Sequence, residues 1–166
     1  MIRFAGLLRF LAGLLLVAAA PAVAGKSTTD AAIDRWIEAH ARKLKGVEQP
    51  MARYAVVGDL DGDGRHDVAV LYTIDDASPG NRSLRYLAAF HRSARALEFK
   101  AHALVGGRGI REVNRATILG RMIELETLEY AVLDEACCPS TAARARYRLT
   151  EGRLVRVKAP KPGAQR

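Results

Sequence analysis

The sequence predicts an α+β domain: one N-terminal amphipathic helix packed on a mainly antiparallel, curved β-sheet of about seven or eight strands. Two patterns carry that expectation. Apolar residues recur at helical spacing in only one place, at Ile33, Trp36, Ile37, Ala41 and Leu44. After Pro50 the chain breaks into short apolar or alternating runs separated by turn residues, with no second helical stripe between them.

The helix has N-cap candidates in Ser27-Thr28-Thr29-Asp30 and a C-terminal stop in Gly46, with Pro50 barring continuation. Its stripe, Trp36 included, reads as a core face. Strands are then expected at Tyr54 to Gly58, Val68 to Ile74, Leu84 to His91, Ala96 to Val105, Ile110 to Leu119, Arg121 to Tyr130, Arg144 to Leu149 and Arg153 to Lys158. Val68 to Ile74 is almost continuously apolar, as a strand covered on both faces should be. Pro79-Gly80-Asn81 marks a loop, and Gly106-Gly107-Arg108-Gly109 a turn. Arg144, Arg146 and Arg148 alternate with apolar residues, and Glu124 and Glu126 share a face of their own strand. Cross-strand ion pairing is the plain reading of both rows; an anion-binding face is the sharper one.

The first 24 residues read as a leader, not as part of the fold. Arg3 and Arg9 precede an apolar run from Leu11 to Ala20, and Ala22-Val23-Ala24 forms a small-x-small cleavage signal. The run is too short for a spanning helix, which needs roughly 20 residues. A single domain over residues 25–158 and a mobile tail over 159–166 complete the expected organisation. A periplasmic or secreted location follows, with no transmembrane segment in the mature chain. The formal charge is +8, or +6 without Arg3 and Arg9. The basic residues are scattered among acidic ones with no interleaved aromatics, which argues against nucleic acid as a partner.

Asp59-Leu60-Asp61-Gly62-Asp63-Gly64-Arg65-His66-Asp67 has the spacing D-x-D-x-D-G-x-x-D. Calcium takes about six to eight hard oxygen ligands, and carboxylates at alternate positions of a tight loop converge on one point. The expected ligands are Asp59, Asp61, Asp63, the backbone carbonyl of Arg65, and Asp67 directly or through water. Gly64 would allow the bend, and His66 would face solvent. The position that carries a bidentate Glu in a helix–loop–helix calcium site is Val70 here, and both flanks are strands. Over Tyr54 to Tyr72 the segment resembles the calcium loop of FG-GAP and VCBS repeats, which runs strand–loop–strand. One copy cannot build a propeller.

Cys137 and Cys138 are adjacent, in Ala136-Cys137-Cys138-Pro139-Ser140. In an oxidising compartment they are expected to bond to each other, although neighbouring Cα atoms stand about 3.8 Å apart and ordinary disulfides span roughly 4.4–6.8 Å. Two free thiols, or a redox or soft-metal site, are the alternatives. The early Trp helix, the V-x-G-D-L-D-G-D-G segment, the Val-Gly-Gly turn and the Ala-Cys-Cys-Pro-Ser segment are together similar to a group of exported bacterial proteins with no established activity.

Gly106 to Gly109 lacks the Lys-Ser/Thr pair of a phosphate loop, and His40, His91 and His102 lack paired metal-ligand spacing. Glu124, Glu126, Glu129 and Asp134 offer carboxylate pairs of the kind any strand-rich surface presents. The expected function is an exported, calcium-binding, non-catalytic binding or structural module of the bacterial envelope, with an envelope protein or glycan as its partner. A secreted enzyme, or a thiol-redox or metal-handling protein using Cys137 and Cys138, is the alternative. A cavity joining the Asp loop to the Cys loop would favour the enzyme.

Overall fold

A computed structural model of the chain describes residues 28–76 and 82–158. The leader expected over residues 1–24, the cap candidate Ser27, the turn at Pro79-Gly80-Asn81 and the tail over 159–166 lie outside the described residues. The elements are α1 (Thr28–Lys43), β1 (Gly46–Glu48), a 3-10 turn (Pro50–Ala52), β2 (Tyr54–Gly58), β3 (Asp67–Asp76), β4 (Ser83–Arg92), β5 (Leu97–Gly107), β6 (Glu112–Leu119), β7 (Met122–Glu129), β8 (Thr141–Thr150) and β9 (Arg153–Val157).

The predicted class holds: one helix, and strands that pair antiparallel throughout. Among the described residues the strands number nine and run as two ladders, β1-β3-β4-β5 with β2 also on β3, and β6-β7-β8-β9. The added strand is β1, whose Gly46 pairs with Asp76. Gly46 is not the helix stop expected of it. Lys45 takes the left-handed conformation, at φ 54°, and its N–H donates to Arg42 O at 3.1 Å. A Cβ on Gly46 would lie 2.5 Å from Asp75 O, so close strand pairing is what requires glycine there.

Side-chain parity divides the core into two layers. Val68, Val70, Tyr72 and Ile74 of β3, with Tyr86, Ala88 and Phe90 of β4, face α1 and pack on Ile33, Ile37 and Ala41. Ala69, Leu71, Leu87 and Ala89 face the other way, onto Val113, Ile123, Leu125 and Tyr147 of the second ladder. The chain is therefore three-layered: helix, five-stranded ladder, four-stranded ladder. β3 is buried on both faces, which explains its unbroken apolar run. Trp36 closes the helix layer by stacking on Phe99, with ring centroids 4.1 Å apart.

Strand direction fixes what meets at each end. The Asp59–Asp67 loop sits where β2 ends and β3 begins, beside the end of β4 and the β6–β7 turn. The loop carrying Cys137 and Cys138 joins β7 to β8 beside the β5–β6 turn. The two loops occupy opposite ends of the strands. The ten residues of β4 separate them by roughly 30 Å at about 3.3 Å per residue.

Candidate functional sites at opposite ends of the strands

The Asp loop is built from its own carboxylates. Asp59 Oδ1 accepts the N–H of Gly62 at 2.6 Å, and its Oδ2 that of Gly64 at 3.0 Å. Asp61 Oδ1 accepts from Asp63 N at 3.0 Å, and Asp63 Oδ1 from Arg65 N at 2.8 Å. Gly62 and Gly64 bend the loop at φ 88° and 81°, a region glycine enters without strain. Those N–H donors, Gly62 first, hold the Asp59 carboxyl below its ordinary 3.8. Asp59, Asp61 and Asp63 each offer one oxygen within 4.8 Å of the others.

Asp67, expected to close the ligand shell, is buried at 1 % exposure. Its Oδ2 accepts Leu60 N and its Oδ1 accepts Arg92 N, both at 2.9 Å. It thereby ties the loop to β4 while one of its oxygens remains within 4.8 Å of Asp61 and His91. His91 was read from sequence as an isolated residue, but its Nδ1 lies 3.5 Å from Asp61 Oδ2. Arg65 sets its guanidinium 3.7 Å from Asp63 Oδ2. His66 is exposed, as expected, and its carbonyl accepts from Arg92 Nε at 2.9 Å. From the second ladder, the Arg121 guanidinium donates to the Asp61 carbonyl and also helps to lower the Asp59 carboxyl.

At the other end, Cys137 and Cys138 form an adjacent disulfide with Cα atoms 3.8 Å apart. Asp134 frames their loop, accepting Ala131 N at 2.7 Å, Ser140 N at 2.8 Å and Ser140 Oγ at 2.8 Å. Tyr130 OH donates to Ala136 O at 2.8 Å and accepts Gly109 N at 3.1 Å, which binds the loop to the β5–β6 turn. Gly106 and Gly107 belong to β5, so the turn expected over Gly106 to Gly109 begins later, at Arg108. A Cβ on Gly106 would come within 2.8 Å of Val113.

Between that turn, the Cys loop and the start of β4 lies a cavity of about 710 Å³. Arg85, Arg108 and Arg111 line it beside Tyr130, Cys137 and Pro139. Sequence reasoning missed this site. Its one available signal is Arg85, a charge inside the apolar run Leu84 to Phe90, at the parity of Leu87 and Ala89.

The charged rows on the second ladder are mostly structural. Glu124 takes Arg146 Nε at 2.7 Å and Arg144 Nη1 at 3.1 Å, through the register Glu124↔Arg146. Glu124 is therefore a cross-strand brace on the outer face, as the plain reading had it. His40 is a satisfied core histidine, its Nδ1 2.9 Å from Tyr72 OH, with the His102 ring centroid 4.5 Å away.

No family model, curated protein or solved structure matches this chain. The assignment of function therefore rests on its own residues. No helix among the described residues is long and apolar enough to cross a membrane.

Proposed function

We propose that the chain works outside the cytoplasm as a calcium-binding, non-catalytic module of the bacterial envelope, binding a protein or glycan there. The observation that carries this reading is the convergence of Asp59, Asp61 and Asp63, one oxygen of each within 4.8 Å of the others, on a loop whose glycines turn the chain tightly. Hard carboxylate oxygens at that spacing suit calcium, and each oxygen that accepts one N–H keeps a second lone pair for an ion. Asp59, Asp61, Asp63 and the Arg65 carbonyl would hold the ion, with Asp67 beneath them. Calcium supplies charge neutralisation, and the residues supply the fixed loop.

Location is supported by the leader-like residues 1–24 and by the adjacent disulfide, which oxidising compartments favour. A binding rather than catalytic role is supported by the placement of the loops. Among the described residues the Asp loop and the Cys loop lie at opposite ends of the strands, too far apart for their groups to act on one small bound molecule.

Calorimetric titration and melting curves test the site. At a free calcium about 100 times Kd, linkage adds roughly 2.7 kcal/mol. That raises Tm by several degrees, on the order of 5 °C, in a domain of this size. Asp61→Ala should remove the difference. A flat titration, together with a melting curve that chelator leaves unmoved, sinks the calcium reading.

A further inference from the structure

The cavity beside the Cys loop is the open end of the layer between the two ladders. Thr73, at the parity of Ala69 and Leu71, and Arg85, at the parity of Leu87 and Ala89, both point into that layer. So do Arg111, two residues before Val113, and Thr127 and Glu129, which continue the row of Ile123 and Leu125. The layer is apolar along most of its length and becomes polar here.

That polar end is only partly satisfied from within. Six buried side-chain atoms of the described residues lack a hydrogen-bond partner. Of these, Arg85 Nε and Arg111 Nε and Nη1 belong to residues that line the cavity, and Thr127 Oγ1 and Glu129 Oε1 lie on the row of β7 behind it. Buried polar groups almost always find partners, so a cluster of orphans marks a place for something else. Arg85 donates from Nη1 to Ala52 O at 2.6 Å and Thr73 Oγ1 at 2.8 Å, both uncharged acceptors. No carboxylate among the described side chains pairs with it. Arg111 Nη1 is ion-paired to Glu129 Oε1 at 3.0 Å, but Glu129 also faces Arg156 at 3.7 Å, so one carboxylate serves two guanidiniums and Arg111 Nε has no partner. Arg108 adds a third guanidinium to the lining against one acid, Glu112.

We infer that this cavity binds a small organic anion: a carboxylate or phosphate held by the Arg85 and Arg111 guanidiniums, with an apolar body against Val113, Tyr130 and Pro139. Planar guanidinium forks match the oxygens of either group, and a cavity of about 710 Å³ is the size of small-molecule sites. The Cys137–Cys138 disulfide stiffens one wall, and Tyr130 and Gly109 lock that wall to the turn carrying Arg108. This site stands apart from the calcium loop, at the other end of the strands.

The test uses the purified full chain at fixed calcium, with benzoate and phenyl phosphate as probes. Benzyl alcohol is the neutral control, and sodium chloride is matched for ionic strength. At least one aryl anion should bind in calorimetry with Kd of about 1 mM or tighter and raise Tm, while the alcohol and the salt do neither. The arm that binds more tightly tells carboxylate from phosphate. Arg85→Met and Arg111→Met, each checked for a native circular dichroism spectrum, should weaken binding by about tenfold or more. If either variant fails to fold, the other decides. Binding of neither probe would mean that solvent alone fills the cavity, and would overturn the inference. A Tm rise reproduced by salt, or retained in the folded variant, would overturn it equally. Loss of calcium binding in Asp61→Ala with anion binding intact would separate the two sites.

Discussion

Asp67 Oδ1 accepts the backbone N–H of Arg92 at 2.9 Å, across 25 positions of sequence. The other oxygen of the same carboxylate accepts Leu60 N. One buried side chain thus holds the base of the Asp loop and the end of β4. Asp67→Ala would leave both N–H groups without an acceptor and should cost roughly 3 kcal/mol, read as a lower urea midpoint. Asp67→Asn keeps one acceptor oxygen and should lose about half as much. Equal, negligible losses in both variants would contradict the bracing role.

Gly58 stands where the two ladders approach most tightly beside the loop. A Cβ there would lie 2.8 Å from Ile118 Cγ2 and 2.9 Å from Ile118 Cβ. The second of these atoms cannot swing away by rotation of the side chain. Gly58→Ala should destabilise by about 1–3 kcal/mol through overpacking. Restoring stability with the double variant Gly58→Ala/Ile118→Val is not expected, since valine keeps the Cβ and a branch. Full stability of the single variant would refute the close contact.

His40 gives the fold a pH dependence. Burial, then the neighbouring His102 and Lys43, lowers its pKa from 6.5 to about 4. Burial and Lys43 lower His102 as well. The His40 ring stays neutral in the fold under conditions where the unfolded chain takes up a proton. Between pH about 6.5 and 4 the unfolded state therefore binds more protons, and stability falls as pH falls, levelling off below the folded pKa. His40→Gln should flatten the slope of Tm against pH in that window. A variant with the wild-type slope would assign the effect to other groups.

The Cys137–Cys138 bond closes almost no loop, so it restricts the unfolded chain very little. Replacing both residues with Ser should cost about 1 kcal/mol or less in global stability. The loop retains Asp134, Ser140 and Tyr130 as its frame. Exported protein should show no labelled thiol before reductant is added. Two thiols that label at once, or a collapse in Tm of the double variant, would go against this account.

The elements were legible in the sequence because each has a local cause. Ile33, Ile37 and Ala41 recur at the helical period, and they are the apolar residues α1 buries. Val68 to Ile74 reads as a doubly covered strand, and β3 is one. The Asp loop and its bending glycines declare themselves by composition and spacing within nine residues. Lys45 as the helix terminator is not legible in the sequence, because a glycine one place later is the stronger local signal.

Only the tertiary structure decided the rest. That the strands separate into two ladders depends on which side chains each strand finds opposite it, and alternation within one strand carries no record of its partner. Asp67 looked like one more loop carboxylate until β4 brought the Arg92 N–H to it. Arg85, Arg111 and Glu129 are 18 to 44 positions apart in sequence. They meet because β4 and β6 start, and β7 ends, on the same side of the molecule with these residues at inward parity. Short-range periodicity sets what each segment becomes, whereas a site drawn from several strands exists only once long-range pairing has set their order and direction.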